Sequence, residues 1–477
     1  MGGPSNKRDK ALVQRLRKAD FLVQGNRFKE ALEQLKDIST SFDQPSPSEE
    51  KALFHYLFGY CQWRQGEKKQ ALGHARGALE TYLSFRNFEG IAKCEYLLGA
   101  LFIDLGNLAQ AKEHLEIAVA DFKQIRDWAS AARSLNRISN LHVIKGELKR
   151  AIEYAGQARE YALKAGDRYY ELVQHGVMGV CWWLLGNWKQ AKSELKDFLI
   201  ETKQASDSVF YTSGLVNLGH AEFVGGRFKE ARKHYLEAAR VCLVEDLIGN
   251  LKVAFEYLGE LGIYEGRFAE AEGYLNKALE IGERVSPYGP IMTQRWRLMG
   301  DLRNAKGEPQ DALQAYETCE SYLIKLPEEL ERGACFVGRG VAYAKLQQWN
   351  LSRACFEKAL DVFDQCENDW ETAKAVVTSV EVGAYSAKQV TVQLLTAKEL
   401  FRKLEHPAWE ERVEKLMANS PEPLEPLPYF AKKENFEKQE ILTALEKAGQ
   451  NKTRAAELLG IPRQTLQHKI KKHRLDG

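Results

Sequence analysis

The chain has 477 residues, 44% of them hydrophobic and 28% charged, and 68 Lys and Arg against 66 Asp and Glu leave a formal net charge of +2. That balance excludes a disordered chain, and no uninterrupted apolar run reaches the roughly 18 residues of a membrane-spanning helix. The length alone predicts about three domains at roughly 150 residues each, and the near-neutral charge predicts no general affinity for nucleic acid unless charge is segregated along the chain.

The amino-terminal stretch Met1-Gly-Gly-Pro-Ser-Asn-Lys-Arg lacks the apolar segment of a secretory signal, which predicts a cytoplasmic protein. Eight cysteines, at 61, 94, 181, 242, 319, 335, 355 and 366, contain no Cys-x-x-Cys pair. They predict small buried apolar residues rather than a zinc ribbon or a disulfide framework. The ten histidines form no His-Glu-x-x-His cluster, and His468 with His473 is too loose a pair for a metal, so neither metal nor cofactor is expected.

Self-comparison shows a period of 40. Gly-x-x-x-x-Ala recurs as Gly66…Ala71, Gly106…Ala111, Gly146…Ala151, Gly186…Ala191, Gly226…Ala231 and Gly266…Ala271. Asn26…Ala31, Gly307…Ala312 and Gln347…Ser352 extend the series to nine units with one single-residue slip. Seven positions before each turn residue stands a small one: Ala19, Gly59, Gly99, Ser139, Gly179, Gly219, Gly259, Gly300 and Gly340. Glycine inside a helix costs about 1 kcal/mol relative to alanine, so its recurrence predicts two helices in close contact there. The Gly before each Ala suits the left-handed residue that ends a helix. Each unit is therefore read as helix A, a tight turn and helix B, with apolar residues at helical spacing in both. Pro45, Pro47, Pro287, Pro290 and Pro327 fall between units, and Pro309 falls in the first turn of a B helix, where no N–H is needed.

A small residue, a turn Gly, an aromatic residue two positions on, Ala and then Ala-Leu together resemble the tetratricopeptide repeat. Phe28, Trp188, Phe228, Phe268 and Trp349 match the aromatic position, whereas Lys68, Leu108, Leu148 and Pro309 depart from it. The resemblance covers residues 9–366. It implies an all-α, right-handed superhelix whose concave wall of A helices holds an extended peptide or a partner's helix. Counting along the A helices places Tyr56, Tyr60, Trp63, Arg64, Lys93, Tyr96, Arg133, Asn136, Asn140, Trp183 and His220 on that wall. Aromatics interleaved with Lys, Arg and Asn suit a peptide backbone, its acidic side chains or its carboxyl terminus. The alternative is that the aromatics pack between repeats and the charges only solvate the groove.

Weaker helical segments near 369–386, 389–404 and 406–418 are expected to cap the array within residues 367–419. Residues 421–428 hold four of the thirteen prolines, which predicts an extended, semi-rigid spacer over residues 420–430. Beyond it, in residues 431–477, Ile441, Leu442 and Leu445 form an apolar stripe ended by Gly449. Asn451 caps a short helix over 452–459 in which Ala455 and Ala456 permit close contact, and Gly460 turns the chain. Pro462 opens a third helix with Leu466 and Ile470 inward and Arg463, Gln464, Gln467, His468 and Lys471 outward, which makes a helix-turn-helix.

The run from Gly449 to Lys472 closely resembles the carboxyl-terminal helix-turn-helix of the bacterial Fis protein and NtrC-like activators. The resemblance implies phosphate contacts from Asn451 and Thr453, major-groove contacts from Arg463, Thr465, Gln467 and His468, and backbone contacts from Lys469, Lys471 and Lys472. Gln467 and His468 depart from the basic residues of Fis. Arg pairs with guanine and Gln with adenine in such a groove. The resemblance also implies a dimer, for which Phe436, Ile441 and Leu445 are candidates unless they fill the module's own core. No Gly-x-x-x-x-Gly-Lys-Ser/Thr occurs, so the ATPase of NtrC-like activators is missing, and no other catalytic signature replaces it.

Residues 433–477 carry ten basic and six acidic side chains, which leaves −2 for the rest. The reading is thus a non-enzymatic, nucleoid-associated regulator with double-stranded DNA on the tail and a protein or peptide in the groove. The competing reading is a scaffold whose tail serves dimerisation or docking.

Overall fold

The computed structural model describes residues 4–25, 27–39, 47–204, 206–285, 291–324, 327–387, 389–418, 428–459, 461, 463–472 and 475. Asn26, Pro45, Pro287, Pro290, Gly460, Pro462 and spacer residues 420–427 lie outside them. Helices are numbered in chain order. From α1 (Pro4–Gln24) and α2 (Phe28–Lys36) to α17 (Glu329–Lys345) and α18 (Trp349–Gln365) they pair as A–B hairpins, odd numbers being A and even numbers B. No strand occurs among the described residues.

The hairpins form because the small residues let the two backbones meet. A Cβ added to Gly99 of α5 (Phe88–Asp104) would stand 2.5 Å from the Leu115 side chain and 3.2 Å from the Ala111 carbonyl, both on α6 (Leu108–Gln124). One added to Gly219 would stand 2.6 Å from the Tyr235 ring. In the fourth unit Ser139 occupies this position, and its hydroxyl donates to the Ala151 carbonyl across the contact at 2.7 Å. The turns follow the glycine rule. Gly66, Gly106, Gly146, Gly186, Gly226, Gly266 and Gly307 have φ between 71 and 87°, and Gln347 takes the same left-handed conformation at 59°.

A second periodic device joins unit to unit. Arg86, Arg126, Gly166, Ser206 and Asp246 also have positive φ. The residues after the first four, Asn87, Asp127, Asp167 and Asp207, cap the next A helix by accepting the N–H three positions on, at 2.8–3.1 Å. Successive A helices touch one another while successive B helices make no comparable contact. The stack therefore curves into a superhelix with the A helices on its concave side.

Three further helices, α19 (Asp369–Glu381), α20 (Thr391–Lys403) and α21 (Pro407–Ala418), continue the core of α18 through Trp370, Val377, Phe401 and Val413. The first is shorter than its apolar pattern suggested, because the chain turns at Gly383, φ 79°. These helices do more than end the array, because the superhelix brings them back onto its middle turns. Cys366 Sγ donates to the Lys145 carbonyl at 3.6 Å, Asn368 Nδ2 to the Leu184 carbonyl at 3.2 Å, and His406 Nε2 to the Gly186 carbonyl at 2.8 Å. A side chain at Gly186 would collide with Trp370 at 2.5 Å. Lys149–Glu367 and Lys189–Glu405 ion pairs flank the closure. All eight cysteines are buried.

The tail consists of α22 (Pro428–Lys447), α23 (Lys452–Leu458) and α24 (Arg463–Lys472) around Ile441, Ala444, Leu445, Ala455, Leu466 and Ile470. The spacer expectation is corrected at its end, since residues 428–430 are already helical, with Pro428 where a helix needs no N–H. Leu442, assigned to the apolar stripe, is 43% exposed because one residue past Ile441 turns it about 100° from the core.

Two glycine substitutions should separate packing from backbone freedom. Gly219→Val forces a branched side chain into the Tyr235 ring and should cost about 1–3 kcal/mol or more. Gly77→Ala, on a helix surface with no atom within 4 Å, should instead stabilise by about 0.5–1 kcal/mol. Urea unfolding followed by circular dichroism reads both signs.

Candidate functional site

In the tail, Asn451 Oδ1 accepts from the backbone N–H groups of Thr453 and Arg454 at 3.0 and 3.2 Å, so its carbonyl oxygen is committed to starting α23. Asn451, Thr453, Arg463 and Gln467 are exposed. Arg463 and Gln467 stand one turn apart on α24, while Leu466 and Ile470 of the same helix are buried. Lys469 differs from expectation, because its ammonium pairs with Glu437 of α22 and braces the module internally. The side chains of Gln464, Thr465, His468, Lys471 and Lys472 lie outside the described residues, although their backbone belongs to α24. Ile441 and Leu445 are buried in the module's own core, which settles their role against a dimer contact; the Phe436 side chain lies outside the described residues.

The eleven wall residues divide. Tyr56, Tyr60 and Tyr96 are half-buried and pack around Trp63, whose indole donates to Asp104 Oδ2 at 2.7 Å. Burial raises the Tyr60 phenol above its ordinary pKa. Arg64 lies over the Phe28 ring, Arg133 over Tyr170, and Lys93 pairs with Glu89 at 2.6 Å. Asn136 is buried and accepts from Gln174 Nε2 at 3.1 Å. These groups mostly join neighbouring helices, the arrangement of the alternative in which the aromatics pack between repeats.

The space lies further along. Asn140 lines a cavity of about 280 Å³ with Asn217 and the apolar Val173, Val177 and Phe198. Trp183 and His220 line a larger one of about 460 Å³. Its inner wall comes from α9 (Arg168–Leu184), α11 (Ser208–Val224), α13 (Ile248–Tyr264), α15 (Ile291–Lys306) and α17, and its far side from α19 and α21. Tyr257, Glu260, Arg297, Glu331, Trp370 and Trp409 were not singled out from the sequence. The unit period would have found Glu260, which follows the small residue of its unit as Asn140 and His220 follow theirs, whereas Arg297 lies out of phase because of the single-residue slip before Gly300.

Charges around this cavity are paired with one exception among the described residues. Arg297 bonds Asp301 and Glu331, each at 2.7 Å, and these carboxylates outweigh burial to hold its guanidinium well above its ordinary pKa. Lys374 bonds Glu371 at 2.8 Å, and Arg412 grips Glu381 through two bonds of 2.8 and 2.6 Å. Glu260 Oε2 is buried without a hydrogen-bond partner. Its nearest cationic candidate, His220 Nδ1, is 3.9 Å away and engages the Tyr235 hydroxyl at 3.3 Å. Burial, with Lys374 and Arg297 nearby, drives the His220 pKa down to about 3 and keeps the ring neutral. Burial pushes the Glu260 carboxyl up to about 7, opposed by Arg297 and Lys374 and helped by Asp301 and Glu331. The Trp183 indole N–H is also buried and unpaired. No three His, Cys, Asp or Glu side chains gather as a metal site among the described residues.

Fold and site together define a helical-repeat superhelix with a concave cavity, followed by a helix-turn-helix module. Residues 433–473 match the family model described as bacterial regulatory protein, Fis family, so the tail is a Fis-type helix-turn-helix. Regulatory protein RapG of Bacillus subtilis (strain 168) is 25% identical over 155 residues, 30% of this chain and 42% of that protein. The chain thus spans under half the length of this relative. Among solved structures, a Rap protein complexed with competence and sporulation factor superposes with a TM-score of 0.58 at 14% identity, covering 75% of this chain and 99% of that one. The Rap conjugation gene regulator of plasmid pLS20, in complex with the Phr* peptide, gives 0.51 at 14% identity, covering 75% and 96%. At these identities the structural likenesses establish the superhelical fold.

Glu260 makes stability depend on pH in a defined direction. Its folded pKa near 7 exceeds its ordinary 4.5, so its contribution is fully present below pH 4.5 and is lost as pH rises through 7. Glu260→Gln removes that loss. The variant should be more stable than the parent at pH 8, by at most about 3 kcal/mol, with the gap closing towards pH 4.5. Thermal unfolding between those pH values checks it.

Proposed function

We propose that this chain is a non-enzymatic DNA-binding regulator whose concave wall holds a peptide ligand. The observation that carries the DNA half is the exposure of Arg463 and Gln467 on α24 while Leu466 and Ile470 anchor that helix to the Fis-type module. A second helix held this way can enter a major groove and offer a guanidinium to guanine and an amide to adenine. In this reading Gln464, Thr465 and His468 share the base-reading face, and Asn451, Thr453, Lys469, Lys471 and Lys472 hold phosphates. Lys469 must then exchange or share its bond to Glu437.

The peptide half is supported by cavities along the A helices. Asn140 and Asn217 face an apolar recess, an arrangement suited to pairing amide side chains with a peptide backbone while its side chains enter the recess. One superposing fold was solved with a peptide bound. Binding rather than turnover accounts for the rest, and a cytoplasmic, nucleoid-associated location accords with both ligands. No helix among the described residues is long and apolar enough to cross a membrane. A dimer would place two recognition helices about 34 Å apart in successive major grooves. With Ile441 and Leu445 inside the module, exposed Leu442 and Leu458 are the apolar candidates for its contact.

Full-length protein should bind duplex DNA from the source genome with affinity that falls steeply with salt in gel-shift titrations. Arg463→Ala should cost about 1–3 kcal/mol and relax the preferred sequence, and Lys471→Ala should lower the logarithmic salt slope by about one. Affinity indifferent to salt and to both changes would leave the scaffold reading in place. Peptides retained on purification should be lost from an Asn140→Ala/Asn217→Ala variant, as read by mass spectrometry.

A further inference from the structure

We propose that the larger cavity receives the basic side chain of a peptide lying on the concave wall, with Glu260 as its counter-ion. The inference rests on the reading of that wall as a peptide site and specifies the ligand's chemistry.

Every cation around the cavity already bonds another carboxylate, so Arg297 and Lys374 act on Glu260 without a hydrogen bond to it. Arg297 is shared by Asp301 and Glu331, Lys374 by Glu371, and Arg412 by Glu381. His220 stands beyond hydrogen-bond reach at 3.9 Å. A buried carboxylate oxygen with no donor costs free energy that folding alone gives no reason to accept, since glutamine or an apolar residue would remove the cost. Around it the walls are aromatic. Trp183 and His220 have centroids 4.1 Å apart, His220 and Tyr257 4.5 Å, and Trp370 and Trp409 stand across on the closing helices. A carboxylate among aromatic walls matches an ammonium or guanidinium on a hydrocarbon stem, which gains from the charge and from the ring faces.

The occupant is a peptide side chain rather than a free cation because the two cavities adjoin along shared helices. On α11, Asn217 faces the smaller one and His220, one turn on, the larger; on α9, Val180 and Trp183 do the same. Three residues of helix advance about 4.5 Å, close to the reach of one or two residues of extended peptide. A backbone held by the two asparagines therefore delivers its neighbouring side chain to Glu260. The closing helices form the other wall, so an occupant touches both the array and its end.

The test uses full-length protein and acetylated, amidated tripeptides Phe-Arg-Phe and Phe-citrulline-Phe, titrated while tryptophan fluorescence is followed. The arginine peptide should bind saturably, and the isosteric neutral citrulline peptide about tenfold or more weakly. Glu260→Gln should erase that difference without lowering the unfolding temperature, which shows that the variant still folds. Equal binding of the two peptides, a difference that survives in Glu260→Gln, or no binding of the arginine peptide overturns the inference. Agmatine binding as tightly as the arginine peptide overturns the peptide assignment in favour of a free cation. If Glu260→Gln changes nothing while Asn140→Ala/Asn217→Ala still releases retained peptides, the groove reading stands and only the cation site falls.

Discussion

The close approach of helix A to helix B at one small residue per unit governs everything else in this molecule. At Gly99, Gly219 and Gly300 even a methyl group would sit 2.5–2.6 Å from a side chain of the facing helix, so no larger residue fits without separating the pair. The glycines weaken their own helices by roughly 1 kcal/mol each, and dispersion across a dry contact offsets it. Tight hairpins in turn let successive A helices touch along one side, and that asymmetry curves the array.

Curvature explains why the end of the array meets its middle. Residues 366–406 reach turns some 180–220 positions earlier, and three of the bonds are made to the backbone carbonyls of Lys145, Leu184 and Gly186. Gly186 serves twice. Its left-handed φ of 76° closes the fifth hairpin, and its missing side chain admits the Trp370 indole. The larger cavity is a consequence of this closure, since one wall belongs to α9–α17 and the other to α19 and α21. A group bound there would touch both the array and the helices that close it.

The tail obeys the same economy on a smaller scale. Ala455 and Ala456 bring α23 against its neighbours, Asn451 spends its carbonyl oxygen on the helix start, and Leu466 and Ile470 fix the orientation of α24. With seven basic and one acidic side chain over residues 452–474, the charge that the whole chain conceals is concentrated in one short segment spanning α23 and α24. Electrostatic attraction to a phosphate backbone needs that local excess, not a net charge.

Much was legible in the order of residues alone, because it depends on local chemistry. A 40-residue period, left-handed Gly turns, A–B contacts at small residues and a capped, basic helix-turn-helix each follow from backbone freedom, side-chain size or helix periodicity. The inter-unit caps at Asn87, Asp127, Asp167 and Asp207 were equally periodic but less conspicuous, because the left-handed residues before them are mostly not glycine. What only the tertiary structure decided was which wall residues meet open space. Tyr56, Trp63 and Asn136 have the right helical phase, yet neighbouring helices consume their faces and hydrogen bonds. Glu260 stands one unit after His220 in the sequence, but only the pairing of Arg297, Lys374 and Arg412 with other carboxylates leaves its Oε2 buried without a hydrogen-bond partner. Helix phase is local and therefore readable, whereas the curvature that folds residue 370 onto residue 186 accumulates over five units and is set by their packing together.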